Sequence, residues 1–416
     1  MSLLSAIAAG IDVHKKFLAV AILSSEAPNH PLSTRRFGTT WQALEELENY
    51  LRAYQVTHVA MESTAQYWRP VWDWLEGKFE LFLAQARSTQ APHGRKTDNA
   101  DALRIARRLI AGDLTLSYVP PPPQRESRLL TRHVVTLKAQ ISDCRNEIET
   151  LLEQAHLKLT SVVSDTFGCS GRRILRALVA GETDPEKLAA LGHQRLKVSR
   201  EDLAEALRGT LTAAQKLVLR LILDRVDRLE KDIEEIDRAL LSHQSEHAEA
   251  LRRLCEIPGV GLWAAQQLVA EIGPSAAAFD SPGRLASWIG VCPGMHESGG
   301  KSASSRSAKG NRYLRRLVCQ IAWAATLAKQ SEARTRYFRL RARLGPLKAV
   351  WAVAHYMVRV IWKVLHCNED FRHMQPQSLD PRTALQRAAT LKRNLAKLGF
   401  TLTLTGPDLQ PVPLPS

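Results

Sequence analysis

Four acids stand at positions that could do chemistry. Asp12 interrupts the apolar run Ile7-Ala-Ala-Gly-Ile-Asp-Val13, where burying a carboxylate is unfavourable unless it binds something. Glu62 closes a second such run, Val59-Ala-Met-Glu62. Asp98 and Asp101 follow in Lys96-Thr-Asp-Asn-Ala-Asp101, three residues apart near the start of a helical stretch, so they share one helix face. Oxygen donors of this kind suit Mg2+ or Mn2+, and a pair of such ions can clamp a scissile phosphate, stabilising both the attacking and the leaving oxygen. Ordinary explanations exist too: an acid such as Asp98 favours a helix N-terminus through the macrodipole, and Glu62 can simply end a strand. Asp12 has the weakest ordinary explanation.

A second group lies in Gly290-Val-Cys-Pro-Gly-Met-His-Glu-Ser-Gly-Gly-Lys301. Ser298 precedes two glycines, which allow a backbone to approach a phosphate closely. Its hydroxyl could be a nucleophile or plain turn chemistry, and Ser302, Ser304, Ser305 and Ser307 compete for any special role. His296 and Glu297 adjoin it and either tune it or face solvent. Tyr67, Trp68, Trp72 and Trp74 could stack on bases, although their spacing suits helix packing better. Ile257-Pro-Gly-Val-Gly261, ahead of the apolar stretch Leu262 to Ile272, has the form of a turn that offers N–H groups to an anion; such turns also simply start helices.

Periodicity gives the elements that must position these residues. Ile7 to Val13, Phe17 to Leu23 and Ser33 to Gly38 read as strands. Thr40 to Tyr54 reads as a helix, Val56 to Met61 as a strand, Tyr67 to Leu75 as a helix, Glu80 to Ala84 as a strand and Thr97 to Ala111 as a helix. This order predicts a mixed sheet with flanking helices. An Asp on the first strand, a Glu on a later strand and Asp-x-x-Asp on a helix after the last strand is the order of an RNase H-like or RuvC-like nuclease domain. Pro120 to Pro123 marks a boundary. Beyond it, Leu130 to Leu151 and Leu219 to Leu240 carry apolar residues at steps of four and three, fitting a helical hairpin, a coiled coil or an ordinary bundle. Ser161 to Gly209 reads as a connector, Val291 to Gly310 as a loop, and two long amphipathic helices follow it. The predicted division is 1–118 (metal-binding α/β domain), 119–250 (coiled coil and connector), 251–372 (mostly helical, with the serine) and 373–416 (a peripheral tail).

The 416 residues carry 57 Lys+Arg against 42 Asp+Glu, a net +15, so the expected partner is a polyanion. Lys301 to Lys348 alone holds thirteen Lys+Arg against Glu332, or +12 of that total, which argues for nucleic acid. With 45% hydrophobic residues the chain has material for folded cores, excluding a disordered basic arm. No window is long and apolar enough for a membrane span, and the first residues lack a secretory pattern; the expectation is a soluble cytoplasmic, nucleoid-associated protein. Six scattered cysteines without a CxxC pair are expected as buried thiols.

Taken together, the motifs resemble the DEDD transposases of bacterial insertion sequences, the family numbered 110, and particularly its longer 1111-type subgroup. The resemblance rests on Gly10-Ile-Asp-Val-His14, Glu62-Ser-Thr, Gly94-Arg-Lys-Thr-Asp-Asn-Ala-Asp101, Ile257-Pro-Gly-Val-Gly261, Ser298-Gly-Gly-Lys301 and Lys309-Gly-Asn-Arg-Tyr-Leu-Arg315, in that order. It implies a bridge-RNA-guided recombinase that moves its own element between donor and target DNA. On that resemblance Asp12, Glu62, Asp98 and Asp101 hold Mg2+ or Mn2+, and Ser298 attacks DNA to form a serine-linked intermediate. Lys301, Arg306, Lys309, Arg312, Arg315 and Arg316 are the expected phosphate contacts, and the expected assembly is a dimer or tetramer with sites shared between protomers. The alternatives are a metal-dependent hydrolytic junction nuclease and a non-catalytic nucleic-acid scaffold.

Overall fold

The structure is a computed structural model that describes residues 7–63, 65–85, 97–194, 196–294, 296–298, 301–304, 307, 309–329 and 331–371, with 296–298 and 301–304 described by their backbone. The chain divides into two compact units, Met1–Pro121 and Pro122–Ser416. The expected tail at 373–416, Arg306 and the loop residues 86–96 lie outside the described residues.

The first unit is built on β1 (Ile7–Val13), β2 (Leu18–Ser24), β3 (Ser33–Phe37), α1 (Trp41–Ala53), β4 (His58–Glu62), α2 (Trp68–Leu75), β5 (Glu80–Ala84) and α3 (Asp98–Ala111). Its five strands run in the order β3-β2-β1-β4-β5, with β1, β2 and β3 antiparallel and β1, β4 and β5 parallel, which makes the sheet mixed. Strand alternation sorts the two faces. Ala9, Ile11, Val13, Val20, Ile22, Val59 and Met61 pack toward α1 and α2. Ala8, Leu23 and Ala60 pack with Ile105, Ala106, Leu109 and Ile110 of α3, while Ala19 and Ala21 meet Ala102.

That second face is floored by small residues for a steric reason. A Cβ on Gly10 would lie 2.2 Å from the Ala102 carbonyl oxygen and 2.5 Å from the Ala106 nitrogen. Only glycine there lets α3 settle onto β1. Thr97 caps α3, its hydroxyl accepting from the Ala100 N–H, and Gly112 ends it in the left-handed region at φ 68°.

The second unit is helical. It runs α4 (Pro122–Gln154), α5 (Leu159–Val162), α6 (Cys169–Ala180), α7 (Pro185–Ala190), α8 (Arg200–Ala206), α9 (Ala213–His243), α10 (Ala248–Cys255), α11 (Leu262–Ile272) and α12 (Pro282–Ile289). Then come two short strands, β6 (His296–Ser298) and β7 (Lys301–Ser304), and α13 (Arg312–Leu327), α14 (Glu332–Leu344) and α15 (Pro346–His366). The proline run does not wholly precede the first helix: α4 begins at Pro122, because a helix's first turn needs no N–H donors. α4 packs along α9 within the chain, burying Val134, Leu137, Cys144, Ile148 and Leu151 with Leu219, Ile222, Val226 and Leu229. A separate core spans α10 to α15.

Three expectations are corrected. The interval Val291 to Gly310 holds an antiparallel strand pair, and three helices follow it where two were expected, the last two separated by Gly345 at φ 77° and Pro346. The Pro-Gly-Val-Gly turn does start α11, with Gly261 at its N-cap, and Gly259, at φ 86° with a Cβ that would stand 2.5 Å from the Ile321 carbonyl, seats the turn on α13. Of the six cysteines only Cys144 is buried; Cys169, Cys255 and Cys367 are exposed and all are free thiols. Each of those three sits at or just beyond a helix end, where the chain leaves its core.

Candidate metal centre and serine hairpin

Asp12 shares the α3 face of β1 with Gly10, and Ile11 is in register with Met61, so Asp12 and Glu62 come next to each other at the same end of two parallel strands. α3 starts over this edge with Asp98 and Asp101 in its first turn. The close seat at Gly10 therefore fixes how near the two helix acids come to the two strand acids.

His14, two residues beyond Asp12 and on the same side, joins them. Its Nε2 lies 3.1 Å from Asp12 Oδ2 and 3.5 Å from Asp98 Oδ1. One ligand atom each from Asp12, His14 and Asp98 fall within 4.8 Å of one another. The imidazole stacks on Phe17 at 4.5 Å, and the Arg36 guanidinium lies 4.8 Å from the same ring while donating to Asp98 Oδ2 at 2.6 Å. Arg104 pairs with Asp101. Burial pushes the Asp12 carboxyl above its ordinary range, the hydrogen-bonded His14 pulls it down, and the charges of Asp101 and Glu62 push it up again. A half-buried carboxylate repelled by two others is a site that gains from a cation. The donor set of carboxylate oxygens with one imidazole fits a divalent ion such as Mn2+ or Mg2+.

Sequence reasoning selected the four acids and passed over His14, Arg36 and Arg104 as site residues. His14 was within reach by strand parity, at i+2 from Asp12. Arg36 follows from pairing alone: Asp12 is in register with Ala19, and Ala19 with Arg36.

Ser298 closes β6 and is in register with Lys301 of β7, so it stands at the turn end of the strand pair. Two glycines between paired residues are the connection that a tight hairpin demands, a signal readable in Ser298-Gly-Gly-Lys301. Downstream, Gly310 lies against the end of α12, where a Cβ would be 2.3 Å from the Ile289 carbonyl. Asn311 then caps α13 by accepting from the Tyr313 and Leu314 N–H groups, and its amide donates to Glu271 Oε2 at 2.8 Å. Glu271 is 2% exposed and is held by Arg132 in a two-pronged pair at 2.6 and 2.8 Å. The Lys-x-Gly-Asn segment is thus pinned to α11 and α4.

The expected phosphate contacts separate in this frame. Lys309 and Arg312 line one hollow with Arg132, Trp288, Asn311 and Tyr313. Arg312 and Arg316 are exposed. Arg315 is half-buried, donating to Ser307 Oγ at 2.8 Å with its guanidinium 4.7 Å from the Trp351 ring centroid, so it also ties α13 to α15. Trp72 is buried, Trp68 packs on it edge-to-face, and Trp74 meets Trp41 edge-to-face. Among the described residues no helix is long and apolar enough to cross a membrane.

A mixed β3-β2-β1-β4-β5 sheet with carboxylates gathered where α3 crosses its edge is consistent with a DEDD-type domain. Comparison with known proteins agrees. Residues 9–157 match the DEDD transposase family of IS110 type, and residues 251–338 match the family described as "Transposase IS116/IS110/IS902 family". A protein of Pseudomonas aeruginosa named "Probable family 20 transposase" is 30% identical over 77% of this chain and 87% of its own length. The "Insertion element IS900 uncharacterized 42 kDa protein" of Mycobacterium paratuberculosis is 26% identical over 65% of this chain and 71% of its own. The "Mini-circle putative transposase for IS117" of Streptomyces coelicolor is 23% identical over 71% and 76%. The chain belongs to the IS110 family of DEDD transposases.

Proposed function

We propose that this transposase cleaves and rejoins DNA through a phosphoserine linkage at Ser298, with a divalent ion held by Asp12, Glu62, Asp98 and Asp101, and with a structured RNA choosing donor and target by base pairing. The observation that carries the metal half is the Asp12–His14–Asp98 cluster, brought together by the seat of α3 on Gly10. A bound ion there would offset negative charge developing on the scissile phosphate.

The chain's own groups do the rest. The Ser298 hydroxyl attacks phosphorus, the Oγ–P bond forms as the P–O3′ bond breaks, and the proton lost from serine is balanced by the one taken up at the departing 3′ oxygen. One phosphate ester replaces another, so rejoining to a new partner needs no ATP. Arg36 and Arg104 hold Asp98 and Asp101 in place before an ion arrives. Support for the serine comes from its place at the end of the β6–β7 pair, in register with Lys301 and ahead of a pinned helix start, and support for a polyanionic partner from the +12 of Lys301 to Lys348.

The test is to purify the protein with its native flanking DNA expressed alongside and sequence the copurifying RNA. A structured transcript of the flank, required together with Mg2+ or Mn2+ for cleavage of the element's ends, is expected. Metal-dependent cleavage without RNA and without a covalent adduct would favour the hydrolytic nuclease. Activity untouched by Asp12→Ala and by chelation would favour a scaffold.

A further inference from the structure

Between α4, α11 and α13 lies a cleft of ≈ 490 Å³, lined among others by Lys138, Trp263, Gln267, Arg312, Tyr313 and Arg316. We propose that it seats one nucleotide of a single strand, the base against Trp263 and the phosphate among Lys138, Arg312 and Arg316. The inference rests on the nucleic-acid chemistry proposed above and adds a site to it.

Charge and shape carry the argument. Arg312 and Arg316 are one helical turn apart on the exposed face of α13, a like-charged spacing that destabilises a helix unless an anion lies between the two groups. Arg316 forms no ion pair among the described residues. Lys138 approaches from α4, its Nζ 4.3 Å from the Trp263 ring centroid. Burial lowers the affinity of Lys138 for its proton, Asp237 acts against that, and the charge of Arg316 adds to it. Lys138 and Arg316 thus share this cleft, with Asp237 the acid that acts on Lys138, and a phosphate would add a second anion.

The indole selects the kind of anion. The Lys138 ammonium lies over the indole ring, so a base that takes this face moves the ammonium off it toward the phosphate, and ring and cations together hold an unstacked base with its phosphate. Duplex bases are stacked inward and cannot reach Trp263, and an acidic peptide would use the cations while leaving the ring idle. The volume lies in the range of small-ligand sites.

The test uses the full chain, fluorescein-labelled dT20 and rU20, and a blunt duplex of equal length, read by anisotropy. Trp263→Ala is expected to weaken single-strand binding about tenfold, Trp263→Phe to restore it to within about threefold, and duplex binding to change less than twofold. Arg316→Gln should lower the single-strand salt slope by about 0.7. Wild-type protein irradiated with 5-bromodeoxyuridine or 5-bromouridine oligonucleotides should crosslink in the segment that carries Trp263, a readout independent of how any variant folds. Preference for rU20 assigns the seat to RNA, and preference for dT20 to a DNA strand. Single-strand affinity unchanged in Trp263→Ala, an equal loss on duplex, or a crosslink elsewhere would overturn the seat. In that event a Ser298-linked adduct that still forms leaves the recombinase reading standing. Wild-type protein that binds none of the three probes would bring down both.

Discussion

At the scale of single residues, the candidate metal centre is a repulsive cluster that His14, Arg36 and Arg104 hold together. Asp12→Asn should abolish metal-dependent DNA cleavage, by about 10³-fold or more, while leaving the protein in EDTA as stable as the wild type or slightly more so, because a half-buried charge repelled by Asp101 and Glu62 has been removed. His14→Ala separates the donors by chemistry. An imidazole nitrogen suits Mn2+ better than Mg2+, so the Mn2+ concentration needed for half-maximal thermal stabilisation should rise about tenfold while that for Mg2+ moves less than about twofold. Equal changes for both ions would show that His14 serves only to orient Asp12. Asp12 stood out in the sequence because it sits in an apolar strand, whereas Glu62 and Asp98 each have an ordinary explanation and were singled out only by their joint order with Asp12 and Asp101. Arg36 did not stand out, since an arginine on an exposed strand looks ordinary until the register brings it opposite Ala19 and Asp12.

At the scale of elements, the position of α3 depends on a missing side chain. Gly10→Ala places a Cβ 2.2 Å from the Ala102 carbonyl, so α3 must shift or tilt. We expect a destabilisation of roughly 1–3 kcal/mol together with loss of the metal-induced rise in Tm. A variant that loses stability but keeps the wild-type metal response would contradict the link between this packing and the site. The helices of the first unit could be read from apolar residues at helical spacing, and β1, β2 and β4 as short apolar runs between turn residues, because these strands bury both faces. The β6–β7 pair was missed even though Gly299-Gly300 signals a tight turn, since its strands, His296–Ser298 and Lys301–Ser304, are too short and polar to show alternation. The break at Gly345-Pro346 was visible in the sequence as a glycine followed by a proline, and it separates two of the three helices found where two were expected. The network of Glu271, Arg132 and Asn311 could not have been read at all, because its members come from three elements distant in the chain.

At the scale of the whole molecule, the acids belong to the first unit and Ser298 to the second. If one catalytic centre uses both, mixing protomers decides whether they come from one chain or two. In a mixed dimer of Asp12→Asn and Ser298→Ala protomers, sites assembled across chains leave one of two centres intact. Sites assembled within a chain leave none. Because the family resemblance implies sites shared between protomers, coexpressed variants should regain end cleavage that neither shows alone; a mixture as inactive as its components would assign the centre to a single chain. The charge of the chain fits the same division of labour, with +12 gathered in Lys301 to Lys348 beside the serine. The most direct measurement is denaturing electrophoresis of the protein incubated with labelled element DNA, its RNA and Mn2+, with the attachment point mapped by mass spectrometry. The account predicts a covalent protein–DNA species linked at Ser298, absent in Ser298→Ala, in Asp12→Asn and in EDTA, and retained in Ser304→Ala. Cleavage at full rate by Ser298→Ala, or an adduct mapped to another serine, would contradict it.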